Sequence, residues 1–187
     1  MSVLKLNQIQ TANGVIMANL NSSGANTGFQ LPYGLAPCVA AYNNGTFTVS
    51  ASTNTALVAD AKQFDTGGCF NATGSTATLN GVSVPAYSFG PNIAGYYLVT
   101  VGFWIPTAAS GNAFTKIYKN GSQYRAGGSI PMNGTNSMQM TTTGVVYMNG
   151  TSDYLQGYVY HTYSGSLNFN NADPSYNYFN AALIRSA

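Results

Sequence analysis

The chain has 187 residues, enough for one main domain with a short extra segment, and 5% of them are charged, against about 25% in an ordinary globular protein. Its net charge of +2 makes no basic footprint, which argues against a nucleic-acid partner. With 45% hydrophobic residues the composition is not that of a disordered chain, and no run approaches the roughly 20 apolar residues of a membrane-spanning helix, so membrane insertion is not expected. The opening segment, VLKLNQIQ, alternates Leu4 and Leu6 with Lys5 and Asn7, but Val3 and Ile9 fall on the opposite parity. It reads as an edge strand or an arm. ANLNSSGANTGFQLPYGLAP follows, a Gly/Ser/Asn/Pro linker that enters a folded domain near Pro37. Residues 1–35 are therefore expected to be an arm and linker, either a loose terminus or an attachment segment that orders on a partner, and residues 36–187 a head domain. The N-terminus lacks the apolar core of a secretory signal, so synthesis in a cytoplasm is expected.

Beyond Pro37 the predicted strands are Val39–Tyr42, Phe47–Ser50, Ala56–Phe64, Val82–Phe89, Tyr96–Ile105, Ala113–Lys119, Gln123–Ala126, Met138–Met148, Tyr154–Tyr163 and Tyr178–Arg185. No helical stripe interrupts them. Six Asn-Gly pairs punctuate the chain, at Asn13, Asn44, Asn80, Asn120, Asn133 and Asn149. Asn-Gly between strand-like runs is a strong hairpin signal, because both residues tolerate positive φ. Regularly spaced short strands predict an all-β sandwich. The run Ile93–Pro106, IAGYYLVTVGFWIP, carries no charge and is too evenly apolar for a strand with one face in water, so it needs cover on both faces.

The chemistry available is sparse. There is no glutamate, and the acids are Asp60, Asp65, Asp153 and Asp173. Glycoside hydrolysis needs two carboxylates about 5–10 Å apart, whereas these four read as residues of opposite strand faces and separate turns. His161 is the only histidine and no Gly-x-Ser-x-Gly elbow accompanies it, so it reads as a packed or rim residue. One His and two distant cysteines make no zinc site, and four Asp leave room only for a weak carbonyl-rich calcium site. No catalytic residue, metal or cofactor is expected. Cys38 and Cys69 are expected to be free and buried, although their pairing is not decided by sequence. Tyr96, Tyr97, Phe103, Trp104, Tyr147 and Phe179 are candidates for core or subunit contact. Tyr158, Tyr160, Tyr163, Tyr176 and Tyr178 cluster in the last two strands and the loop HTYSGSLNFNNADPSYNYF between them. That loop is either a hydrated connection or a recognition loop, in which Tyr163, Asn168, Asn170, Asn171 and Tyr176 supply polar, shape-based contacts.

From Val39 onward the order of signals resembles the complement one-q and tumour-necrosis-factor-like jelly roll. The motifs are Phe64-Asp65 before a turn, then Asn71; Phe89, Gly95 and Tyr97 at the family's spacing, with Pro91 one position early; the Lys119-Asn120-Gly121 hairpin; Asp153 in a turn with Ser152 in place of Gly; and a last strand ending at Leu183, with Ala181 in place of Gly. The resemblance implies a ten-stranded sandwich of two five-stranded sheets and assembly as a homotrimer. Trimerisation would then cover the second face of the Tyr96–Ile105 strand. The opening SVLKLNQIQTANG is similar to the start of many tailed-phage appendage proteins, which usually carry Val-Asp where this chain has Leu6-Asn7. Together these imply a non-enzymatic appendage of the virion: a trimeric head, tethered to other virion proteins by residues 1–35, that recognises a host surface glycan or protein. The alternatives are a purely structural decoration or cement protein and a glycan-degrading enzyme.

Overall fold

The computed structural model describes residues 8–10, 16–19, 36–108, 110–169 and 175–187, with backbone alone for 8–10 and 16–19. Two compact units divide the chain, Met1–Ala36 and Pro37–Ala187. In the first, β1 (Gln8–Gln10) pairs antiparallel with β2 (Ile16–Asn19), and the register breaks between Ile9 and Gln10.

The second unit holds β3 (Cys38–Tyr42), β4 (Phe47–Val49), β5 (Thr55–Ala56), β6 (Ala61–Thr66), β7 (Phe70–Asn71), β8 (Ala77–Leu79), β9 (Val82–Val84), β10 (Ser88–Phe89), β11 (Gly95–Ile105), β12 (Asn112–Lys119), β13 (Ser122–Ala126), β14 (Ile130–Pro131), β15 (Met138–Met148), β16 (Leu155–His161), β17 (Leu167–Phe169) and β18 (Tyr178–Ser186). One sheet runs β15-β11-β18-β3-β6. The other runs β13-β12-β16-β10-β7, with β14 added to β12 and β5 to β16. The short pairs β4/β17 and β8/β9 complete an all-antiparallel sandwich.

Period-two alternation fixes which side chains enter the core. On β11, Tyr97, Val99, Val101, Phe103 and Ile105 are buried. Across the sandwich, Ala113, Thr115 and Ile117 of β12 and Leu155, Val159 and His161 of β16 point inward. Gly157 allows the sheets their close approach, since a Cβ there would lie 2.7 Å from Val101 Cγ1. Two aromatic clusters anchor the core. Phe169 stacks on Phe47 with ring centres 5.0 Å apart and meets Phe103 edge-on at 6.2 Å. Phe89 meets Tyr97 edge-on at 5.5 Å and Phe179 at 6.2 Å. Each such pair adds about 0.5–1.5 kcal/mol beyond the area it buries.

Several sequence expectations are corrected. The run Ala56–Phe64 is two strands, because it crosses between sheets: β5 pairs with β16 and β6 with β3. Val82–Phe89 is likewise broken at Pro85, which has no N–H to give a ladder, and at Tyr87, whose φ is +52°. Tyr154–Tyr163 shortens to Leu155–His161. Of the Asn-Gly pairs, Asn80-Gly81 (φ +50°, +87°) and Asn120-Gly121 (φ +52°, +76°) make two-residue hairpins. Asn44, Asn133 and Asn149 instead join strands that do not pair with each other, and Asn13-Gly14 lies outside the described residues. Both cysteines are free; Cys69 is buried as expected, but Cys38 is partly exposed.

Candidate functional site

Alternation on β11 and β15 gives the five-stranded sheet a second face, turned away from the core. Tyr96 and Leu98 project from β11 and stand directly opposite Tyr147 and Val145 of β15. All four are exposed, between 43% and 46%, and the Tyr96 and Tyr147 rings lie 5.5 Å apart. Phe64 of β6, 50% exposed, joins Leu98 in lining a shallow groove of about 330 Å³ that also includes Cys38, Thr100, Asn180 and Ala182. Ile184, 55% exposed, stands where β18 breaks register against β11. Among the described residues, Tyr124 is the only other large apolar side chain exposed to this degree.

The far end of the same face is polar. Thr100 Oγ1 and Thr143 Oγ1 are 3.1 Å apart, and Gln139 Nε2 donates to the Tyr176 carbonyl at 2.9 Å. Tyr178 lies over Gly102, where a Cβ would come within 2.4 Å of its ring. Trp104 sits here against Tyr176, ring centres 6.1 Å apart.

The six seam candidates thus divide by parity. Tyr97, Phe103 and Phe179 are core residues. Tyr96, Tyr147 and Trp104 stand on the outer face. Sequence reading missed Leu98, Val145 and Ile184. For the first two the signal was present, as the alternation of outward and inward residues in GYYLVTV and TTGVVYM.

The fold-motif residues hold corners. Asp65 binds Lys62 Nζ at 2.9 Å and accepts the backbone N–H groups of Cys69 and Phe70. Phe89 is in the core, and Leu183 packs at its margin. Gly95 faces the Arg185 carbonyl oxygen so closely that a Cβ would sit 2.4 Å from it. Asp153 joins two turns: it accepts from Asn120 Nδ2 at 2.7 Å and Asn149 N at 2.9 Å, and pairs with Lys119 at 2.8 Å. Burial raises the Asp153 carboxyl, but the bonds from Lys119, Asn120 and Asn149 outweigh it and hold the group below its ordinary value. Asp60 accepts the Asn44 N–H. Asp173 lies outside the described residues, and among those that are described no cluster of His, Cys or carboxylates could hold a metal ion.

In the loop after β16, Asn168 is exposed and accepts from Thr48 Oγ1, while the strand bearing it is pinned by buried Leu167 and Phe169. Tyr163 is half-buried against the core and Tyr176 leans on Trp104. Asn170 and Asn171 lie outside the described residues. His161 is buried, its Nε2 3.0 Å from the Val49 carbonyl.

No family model and no curated protein matches the sequence. Similar solved structures include murine APRIL, with a TM-score of 0.51 at 8% identity over 80% of this chain and 99% of that one. The globular domain of zebrafish complement 1qA is similar at a TM-score of 0.49 and 12% identity over 81% and 99%. The PRD1 vertex protein P5 is similar at 0.45 and 13% over 80% and 96%. At such low identities the likeness concerns fold alone, and that fold is the complement one-q and tumour-necrosis-factor-like jelly-roll sandwich.

Proposed function

We propose that this chain is a non-enzymatic virion appendage. Three heads assemble through the outer faces of their five-stranded sheets, the arm of residues 1–35 attaches the trimer to other virion proteins, and the remaining surface meets a host glycan or protein. The observation that carries this reading is the apolar outer face: Phe64, Tyr96, Leu98, Val145 and Tyr147 stand half-exposed on one sheet face, and among the described residues only Tyr124 and Ile184 are other large apolar side chains exposed to this degree. Patches of this kind on soluble proteins mark interaction sites. The resemblance of the arm to phage appendage openings supports the virion setting. The turn-holding roles of Asp60, Asp65 and Asp153 favour a binding protein over a hydrolase. Three identical heads would raise avidity without a strong individual site.

Light scattering tests the assembly. A mass of three chains is expected, and Leu98→Asp and Val145→Asp, which alter no buried residue, should yield folded single chains. A wild-type single chain at micromolar concentration would overturn the trimer. Deleting residues 1–35 should abolish incorporation into particles while leaving the head trimer intact. Retention of the truncated chain on particles would overturn the tether.

A further inference from the structure

The seven-stranded sheet also has a face turned away from the core, and its chemistry differs from that of the apolar face. Phe114 of β12 stands opposite Tyr160 of β16, ring centres 5.8 Å apart, and Lys116 stands opposite Tyr158. Tyr118 stacks on Tyr158 with centres 4.0 Å apart and planes 22° from parallel. These rings form one strip, half-buried and therefore open along one side. Cross-strand packing of this sort holds rings in place at little further entropic cost to a ligand.

Lys116 lies in the middle of the strip. Its Nζ is 4.7 Å from the centre of the Tyr160 ring and donates to Asn54 Oδ1 at 2.6 Å. No carboxylate of the described residues pairs with it; their ion pairs are Lys62 with Asp65 and Lys119 with Asp153. Burial lowers the Lys116 ammonium from its ordinary value, as expected of a cation partly withdrawn from water without a counter-charge. Of the described acids, Asp153, paired with Lys119 at the end of β12, is buried and already bonded.

We propose that this strip is a binding site for an acidic saccharide, whose sugar rings lie on the Tyr118, Tyr158 and Tyr160 side chains while a uronate-type carboxylate meets Lys116 Nζ. The charge pattern selects this occupant. One unpaired cation on an aromatic strip complements one carboxylate on a ligand with apolar ring faces. A polyanion such as single-stranded DNA would need a row of cations, and the strip has one. The phenol hydroxyls and Asn54 offer hydrogen bonds to sugar hydroxyls. The inference deepens the recognition reading above and rests on it, but its test needs neither particles nor a trimer, so the two fail separately.

The test is binding of the full-length chain to a linear uronic-acid hexamer and to the same hexamer with its carboxyls reduced, by saturation-transfer NMR and calorimetry. The acid form should bind with a dissociation constant on the order of 1 mM, and the reduced form about tenfold more weakly. Lys116→Gln should erase the difference between the two sugars, and Lys116→Arg should retain it. Tyr158→Ala should weaken both sugars, with unfolding curves excluding loss of fold. Equal binding of both hexamers by the wild type, or an undiminished preference in Lys116→Gln, would overturn the proposal. So would tighter binding of an oligothymidylate than of the acid hexamer, or no saturable sugar binding because a second copy covers the strip.

Discussion

Replacing Asp153 by alanine tests how the two turns at one end of the sandwich are held. The carboxylate accepts from Asn120 Nδ2 at 2.7 Å, in the β12/β13 hairpin, and from Asn149 N at 2.9 Å, in the corner between β15 and β16. Asn120 Oδ1 returns a bond to that corner by accepting the Tyr154 N–H at 2.9 Å. Without the carboxylate the Asn149 N–H and the Asn120 amide lose their acceptor, at about 1 kcal/mol each once water replaces part of the interaction. The Lys119 pair contributes about 1 kcal/mol more, discounted because that side chain is 22% exposed and regains solvent. The expected loss is therefore about 3 kcal/mol, read from urea midpoints with the slope unchanged. The pH dependence has a definite sign. The folded-state carboxyl is held below its ordinary value of 3.8, so its stabilisation is complete above that value and disappears as pH falls through the lower folded-state value. The gap between wild type and Asp153→Asn should be constant from about pH 8 to pH 5 and close below about pH 4. A loss under about 0.5 kcal/mol in Asp153→Ala, or a gap that fails to narrow between about pH 5 and pH 2, would refute the reasoning.

Gly95→Ala should cost about 2 kcal/mol or more, because its Cβ would fall 2.4 Å from a backbone oxygen and 2.7 Å from Leu183 Cδ1; Gly45→Ala, with open space around it, should change the urea midpoint little. Phe179→Ala removes a ring packed between Phe70 at 5.7 Å and Phe89 at 6.2 Å and should cost about 3–5 kcal/mol in the same assay. Burial raises both thiols, so both should react slowly with a disulfide reagent at neutral pH. Cys38, in the outer-face groove, should react faster in Leu98→Asp than in wild type, while Cys69 should react only on unfolding.

Long strands were the legible part of the sequence. Met138–Met148 was placed to the residue, and Tyr96–Ile105 fell one residue short of its start, because each is a long β-rich run whose core face a period of two can fill. The short strands were not legible. β7, β14 and β17 have two or three residues each, and their existence depends on partners elsewhere in the chain, such as β10 for β7 and β4 for β17. β8 is as short, but it pairs with β9 across the Asn80-Gly81 turn. The switch of the Thr55–Thr66 segment between sheets was invisible for the same reason: it is set by Gly157 and Tyr158 on one side and by β3 on the other, not by local composition. At the site, the uncharged run Ile93–Pro106 reads as apolar on both faces, whereas the outer face is apolar at Tyr96 and Leu98, which stand 43% exposed, and polar at Thr100. Sorting its aromatics into core and surface needed only residue parity, which an even apolar profile conceals; Tyr96 and Tyr97 are adjacent in sequence and have opposite environments. The Lys116 strip was not legible at all, since it is assembled across two strands and depends on the register that sets Lys116 beside Tyr158.

The uneven tethering of the Asn-Gly pairs has a chemical consequence for the protein's ageing. Spontaneous deamidation requires the backbone nitrogen of the following residue to attack the side-chain amide carbon, closing a succinimide with loss of ammonia, after which water opens the ring to an aspartate or isoaspartate. Asn80, Asn120 and Asn149 are restrained from this by side-chain bonds to Gly67, to Asp153 and Tyr154, and to Ser152 and three backbone N–H groups. Asn44 is exposed, only its backbone N–H is tied, and Gly45 has open space beside it. Asn133 is exposed too, but it accepts the Thr135 N–H at 3.2 Å, and the Gly134 nitrogen that would attack it is engaged by the Ala108 carbonyl at 2.8 Å. Among the described Asn-Gly pairs, storage damage is therefore channelled to the Asn44 loop, away from the turns that hold the sandwich. In a chain with four acidic residues and a net charge of +2, each such event is a visible step in isoelectric point.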